Sequence, residues 1–217
     1  MIPLRHTSNE ITSGILHLIG AVAGVALLII LVVFASLKGN AWHITSFTIY
    51  GVFMTLLYLI STIYHLLPYT KTRAKDVLQR IDHAMVYFFI AATYTPVCFL
   101  VLKGAAGWTV FGILWSLAII GAVLKLARVK TPSYVPVILY LTMGWMIIFF
   151  LPRLLEMMSP LAMTLLVLGG VSYTVGVIFF VLESKLPQRK YFWMHEIFHI
   201  FVLGGTVFHT IMMFLLL

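Results

Sequence analysis

Seven long apolar runs alternate with short polar segments along the chain: Thr12–Leu37, Ile44–Leu67, Ala84–Leu102, Trp108–Lys125, Tyr134–Leu151, Leu161–Leu182 and Phe192–Leu216. A helix needs about 20 mostly apolar residues to cross the hydrocarbon core of a bilayer. It also satisfies every backbone polar group within one segment, which lipid demands. The separators carry charge, Pro or Gly: Lys38-Gly39-Asn40, Pro68 through Asp82, Lys103-Gly104, Arg128 through Pro132, Arg153 through Pro160, and Glu183 through Lys190. The pattern predicts an all-α membrane protein, a seven-transmembrane helix bundle forming one domain over residues 1–217. Gly20 and Gly24 make a GxxxG pattern and Ser172 and Gly176 a second small-residue pair, both of which predict close helix packing.

Composition agrees. The 217 residues are 62% hydrophobic and only 9% charged, with mean hydropathy +1.09. A soluble domain is nearer half apolar and a quarter charged, so lipid must be the main solvent. The single Cys98 forms no internal disulfide. The start, MIPLRHTSNE, lacks the basic region and small-residue cleavage site of a secretory signal, so Met1 onward is expected to be mature protein.

The net charge of +8 sits in the short loops, where basic residues encode topology rather than nucleic-acid binding. One side of the predicted bundle holds eleven of them: Arg5, Lys71, Arg73, Lys75, Arg80, Lys125, Arg128, Lys130, Lys185, Arg189 and Lys190. The other side holds three, Lys38, Lys103 and Arg153. The basic side is expected to face the cytoplasm, which puts the N-terminus in the cytoplasm and the C-terminus outside. Trp42, Trp108 and Trp193 fall at predicted helix ends, as interfacial aromatics do.

Ionisable groups inside spans are costly and therefore functional candidates. His6 and His43 read as interfacial. The others fall at one height. Ser61 through His65 closes the second span, Asp82-His83 opens the third, and His195-Glu196-Ile197-Phe198-His199 opens the seventh, all at the basic face. With a rise of ~1.5 Å per residue, His195 and His199 lie roughly 5 and 10 Å into the last helix. Their i, i+4 spacing stacks both imidazoles on one helical face. Three neutral imidazoles from two helices suit zinc and leave a fourth position for water, whose pKa zinc lowers to about 7. Asp82 can then hold or deprotonate that water, or orient a histidine, and Ser61 can bond a ligand ring or a substrate carbonyl. Without metal, the same groups are polar helix-packing contacts.

Glu10, Ser13 and His17 form a stripe on the first span. They line the same cavity, or else mark a helix start with Glu10 at the positive dipole end. His83 is open to the same two readings. His209 lies ~15 Å deeper than His199 and cannot share its metal. His195-Glu196-x-x-His199 matches the HExxH of soluble metalloproteases. No downstream ligand follows it, however, so the match reads as coincidental.

In this order and at one membrane face, Ser61-x-x-x-His65, Asp82 and His195-x-x-x-His199 resemble the motif set shared by hemolysin III proteins, adiponectin and progestin receptors, and alkaline ceramidases. The Glu10/Ser13/His17 pattern is similar to the bacterial hemolysin III branch. The resemblance covers essentially the whole chain. It implies a zinc ion on His65, His195 and His199, with Asp82 near the zinc-bound water. It also implies lipid amide hydrolysis or a role in membrane-lipid homeostasis, with membrane lipids as partners and a bacterial plasma membrane as the location. Two departures matter. No long cytoplasmic region precedes the first span, so a hormone-receptor role is not expected, and Glu196 stands where related proteins can carry a neutral residue, so it receives no catalytic role.

Competing classes remain. In one, a membrane-active (cytolytic, pore-forming) or sensing protein uses zinc only to fasten helices. No span shows the full-length polar stripe an aqueous channel needs. Metal transport is weaker, because the outer half offers little beyond His209 as an exit route. Retinal binding is excluded by the absence of a Lys in the seventh span.

Overall fold

The computed structural model describes residues 7–68, 70–187 and 192–217, so Arg5, His6, Arg189 and Lys190 lie outside the described residues. Its α-helices are α1 (Thr7–Lys38), α2 (Ala41–Leu66), α3 (Thr72–Pro96), α4 (Gly104–Leu126), α5 (Tyr134–Trp145), α6 (Leu151–Met157), α7 (Pro160–Glu183) and α8 (Met194–Phe214), with no strand among the described residues. A π-helical turn, Val97–Leu102, extends α3, and a 3₁₀ segment, Met146–Phe150, joins α5 to α6. Seven of the resulting spans are long and apolar enough to cross a membrane.

Two span limits differ from the apolar runs. Helix α3 begins at Thr72, twelve residues before the predicted start at Ala84. Its first three turns are polar but contain neither Gly nor Pro, so nothing in them opposes helix. The fifth span continues past Leu151 to Met157, because Arg153 does not end the helix but pairs with Glu156 on its exposed last turns at 3.3 Å. That span is also broken in the middle. Pro152 lacks an N–H and crowds the carbonyl four residues earlier, and the chain overwinds just before it. The Tyr94 hydroxyl repairs the break, donating to Gly144 O at 2.6 Å and accepting from Ile147 N at 3.0 Å. In hydrocarbon such backbone groups must find a protein partner.

Helix α3 is central: 72% of its apolar window is buried, against 6% for the fifth span. Helices α2 and α4 pack beside it, α1 lies on α2 and α8, and α7 lies on α8. Phe53, Phe88, Phe99, Trp108, Phe111 and Trp115 fill the space between α2, α3 and α4 as a continuous aromatic cluster. Gly107 lets α4 approach the π turn, where a Cβ would collide with the Cys98 carbonyl. The small-residue pairs do what they predict. A Cβ at Gly24 would sit 3.3 Å from the Thr55 backbone, and one at Gly20 2.9 Å from the Tyr58 ring. Gly176 meets Phe201 and Phe198, and Ser172 donates to Phe201 O at 2.7 Å. The Ile and Val residues of α1 that point away from these contacts are exposed, as a lipid-facing surface requires.

Candidate metal centre

His65 ends α2, and His195 and His199 occupy the first two turns of α8. Antiparallel packing brings them to the same end of the bundle. Each offers one ring nitrogen, and the three nitrogens lie within 4.8 Å of one another. Ring centroids are 5.2 Å apart for His65 and His195, 5.0 Å for His65 and His199, and 4.5 Å for His195 and His199. His65 and His199 are each only 2% exposed. The group can hold a metal ion.

Carboxylates stand behind two of these rings. Glu10 Oε2 accepts from His65 Nδ1 at 3.0 Å, and Glu183 Oε2, at the end of α7, accepts from His195 Nδ1 at 2.8 Å. An ionised carboxylate only accepts, so a neutral ring in either place carries its proton on Nδ1 and leaves Nε2 as its acceptor nitrogen. A carboxylate–histidine pair is the usual outer support of a zinc-ligating imidazole, fixing its tautomer and raising its basicity. Borderline-soft imidazole nitrogens in threes match zinc. The residues present therefore fit a zinc ion.

Glu10 has a second partner. Lys75 Nζ donates to Glu10 Oε2 at 3.1 Å and to the carbonyls of Tyr64 and Leu67 at 3.2 and 3.1 Å. Those carbonyls belong to the end of α2, where helical acceptors lack intrahelical partners. One buried lysine thus caps α2 and holds the carboxylate that orients His65.

The other predicted residues fall as follows. Ser13 Oγ donates to Glu196 Oε1 at 2.8 Å, while Glu196 Oε2 accepts from Trp193 N at 2.8 Å. Glu196 therefore caps α8 and ties it to α1. His17 stacks on His199, with centroids 3.7 Å apart and planes at 14°, and meets the Tyr58 ring edge-on at 5.0 Å. Its two ring nitrogens are buried and make no hydrogen bond. Ser61 is buried on α2 one turn before His65. Asp82 is half-buried, in the field of Lys125 on α4 and Tyr140 on α5. His83 turns its ring edge to Phe180, whose other neighbours include His195, and its carbonyl accepts from Tyr140 Oη at 2.9 Å. His209 bonds Leu166 O at 3.1 Å and packs in the space left by Gly169, which makes it a helix-packing residue.

Sequence reasoning missed Glu183 and Lys75. The first stood as a loop residue and the second as one topological charge among eleven. A signal was available: acidic residues number only six in the chain, so any carboxylate at a span end near a histidine is conspicuous.

Residues 5–210 match the family model described as Haemolysin-III related. A Bacillus subtilis (strain 168) protein, Hemolysin-3 homolog, is 44% identical over 91% of this chain and 89% of its own length. Hemolysin-3 of Bacillus cereus is 40% identical over 93% and 89%. The human Monocyte to macrophage differentiation factor is 28% identical over 94% and 81%.

Proposed function

The chain belongs to the haemolysin-III-related family, and we propose that it is an intramembrane zinc hydrolase acting on an acyl-amide or acyl-ester lipid. One observation carries this reading: three imidazoles from two helices offer nitrogens within 4.8 Å, two of them backed by carboxylates. Zinc, when bound, supplies Lewis acidity, polarising an acyl carbonyl and acidifying water. His65, His195 and His199 hold the ion, and Glu10 and Glu183 hold the rings of His65 and His195. Asp82 takes the proton of the attacking water. Ser61, one turn from His65, bonds the substrate carbonyl. The substrate enters from the bilayer, which the proposal takes to be a bacterial plasma membrane with the basic end of the bundle in the cytoplasm.

The test is the zinc content of the detergent-purified chain beside His65→Ala and His199→Ala, followed by fatty-acid release from an acyl-amide lipid. The expected result is about one zinc per chain, lost in both variants, with Asp82→Ala keeping zinc but losing turnover. A well-folded wild type that takes up no zinc on reconstitution overturns the proposal. Unchanged turnover in Asp82→Ala removes that residue's role.

The printed name Hemolysin-3 of the Bacillus cereus relative favours a second reading, a membrane-active protein in which zinc only fastens α2 to α8. Dye leakage from liposomes that persists in His199→Ala supports it over hydrolysis.

A further inference from the structure

A second polar feature lies at the same end of the bundle, away from the histidines. Between α3, the end of α4 and the start of α5 runs a cleft of about 300 Å³. Arg80, Lys125, Arg128 and Lys130 line it. Its remaining walls are largely apolar, built by Tyr87, Leu124, Val135 and Leu139, and they lead into the membrane-spanning parts of the three helices.

Two carboxylates face these four cations. Asp76 accepts from Arg80 at 3.1 Å and from Arg128 at 2.6 Å, and Asp82 lies in the field of Lys125. The cleft therefore keeps a surplus of positive charge. Arg80 is largely committed to structure, because it also donates to the Asp76 carbonyl and to Leu126 O, bracing the end of α4. Lys125, Arg128 and Lys130 carry the charge available to a ligand.

Arg128 supplies an independent observation. It follows the end of α4 with φ 58°, in the left-handed region. Helices commonly stop on such a residue, but it is usually Gly, which has no Cβ to strain. Arg128 and Asp76 are both largely exposed, and an exposed ion pair is worth too little to explain the choice. Arg at this position keeps a cationic side chain at the mouth of the cleft where Gly would be easier for the backbone.

We infer that this cleft binds the phosphate-bearing headgroup of an anionic bilayer lipid. The cations meet the phosphate, and the apolar walls carry an acyl chain back into the bilayer. Basic pockets between membrane helices recognise such headgroups by these two features together. Free phosphate would use the cations and leave the walls idle. The inference is independent of the zinc reading.

The experiment uses the full chain in neutral detergent. Its thermal unfolding is followed on titration with phosphatidylglycerol, with phosphatidylcholine and with inorganic phosphate. Phosphatidylglycerol alone is expected to raise the midpoint. Lys130→Gln should weaken that effect about fivefold, the worth of one cation near a lipid headgroup. A Lys71→Gln/Arg73→Gln control, at the same end but outside the cleft, should leave it intact. Arg128→Gly is the sharper variant. It should raise the midpoint without lipid, by relieving the backbone, and weaken the response to phosphatidylglycerol. Equal losses in the control pair and in Lys130→Gln overturn the proposal in favour of diffuse surface charge. An equal response to inorganic phosphate overturns it in favour of a free anion.

Discussion

Replacing Glu10 by Gln separates two jobs that one buried carboxylate does. Glu10 is 3% exposed and accepts from both Lys75 and His65. The amide keeps the shape and loses the charge. Lys75 then sits in the interior without its counter-ion, and His65 Nδ1 faces a group that can donate as well as accept. Breaking a buried ion pair from one side costs about 3–5 kcal/mol. The two carbonyls that also hold Lys75 Nζ, and its 10% side-chain exposure, place this case near the lower end, about 3 kcal/mol. Loss of the partner that orients a ligating histidine weakens metal about 10–100-fold. Adding Lys75→Met removes the stranded cation, so stability should return to within about 1 kcal/mol of wild type, while zinc stays weak. Unfolding can be followed by denaturing-detergent titration and zinc affinity by competition with a chromophoric chelator. If the double variant regains both stability and zinc affinity, Glu10 serves the fold alone and the argument for an oriented ligand fails.

Two further outcomes follow from the packing. His17→Phe keeps a flat ring on His199 and should hold zinc affinity within about threefold, whereas His17→Ala frees that ring and should weaken it about tenfold or more; equal losses in chelator competition would show that the nitrogens matter and the stack does not. Tyr94→Phe leaves Gly144 O and Ile147 N without the hydroxyl that bridges the broken fifth span, and should cost about 1–3 kcal/mol in thermal unfolding with zinc affinity unchanged; an unaltered midpoint would mean the break needs no repair.

The spans were legible because lipid leaves so little freedom: a crossing helix must be apolar for about 20 residues, and seven runs were. What periodicity did not disclose was helix beyond the hydrocarbon. The polar turns from Thr72 to Ile81 looked like loop only because they are polar, and Arg153 looked like a terminator because it is charged. Neither property opposes helix in water. The histidine group was legible for a geometric reason, since counting residues inward from each span end gave three imidazoles at one depth. Glu183 was not, because its place behind His195 depends on how the ends of α7 and α8 meet. Helix contact of that kind leaves no periodic mark.

Charge bears on the choice between a metal site and polar packing. Of six acidic residues, Asp76 pairs with arginines in the cleft and Glu156 with Arg153 at the far end. The other four, Glu10, Asp82, Glu183 and Glu196, gather around the histidines and the neighbouring end of α3. Lys75 offsets the first, and Lys125 lies in the field of the second. Among the described residues at the histidines, three carboxylates, Glu10, Glu183 and Glu196, stand with one ammonium group, Lys75. Helix packing alone has no use for that excess, because hydroxyls and amides join helices without burying charge. A divalent cation bound there would balance it. On the proposed reading, the carboxylates behind His65 and His195 would be the counter-charge of the ion as well as the clamps on its ligands. Neutralising Glu10 or Glu183 should therefore weaken zinc even where the ring orientation survives.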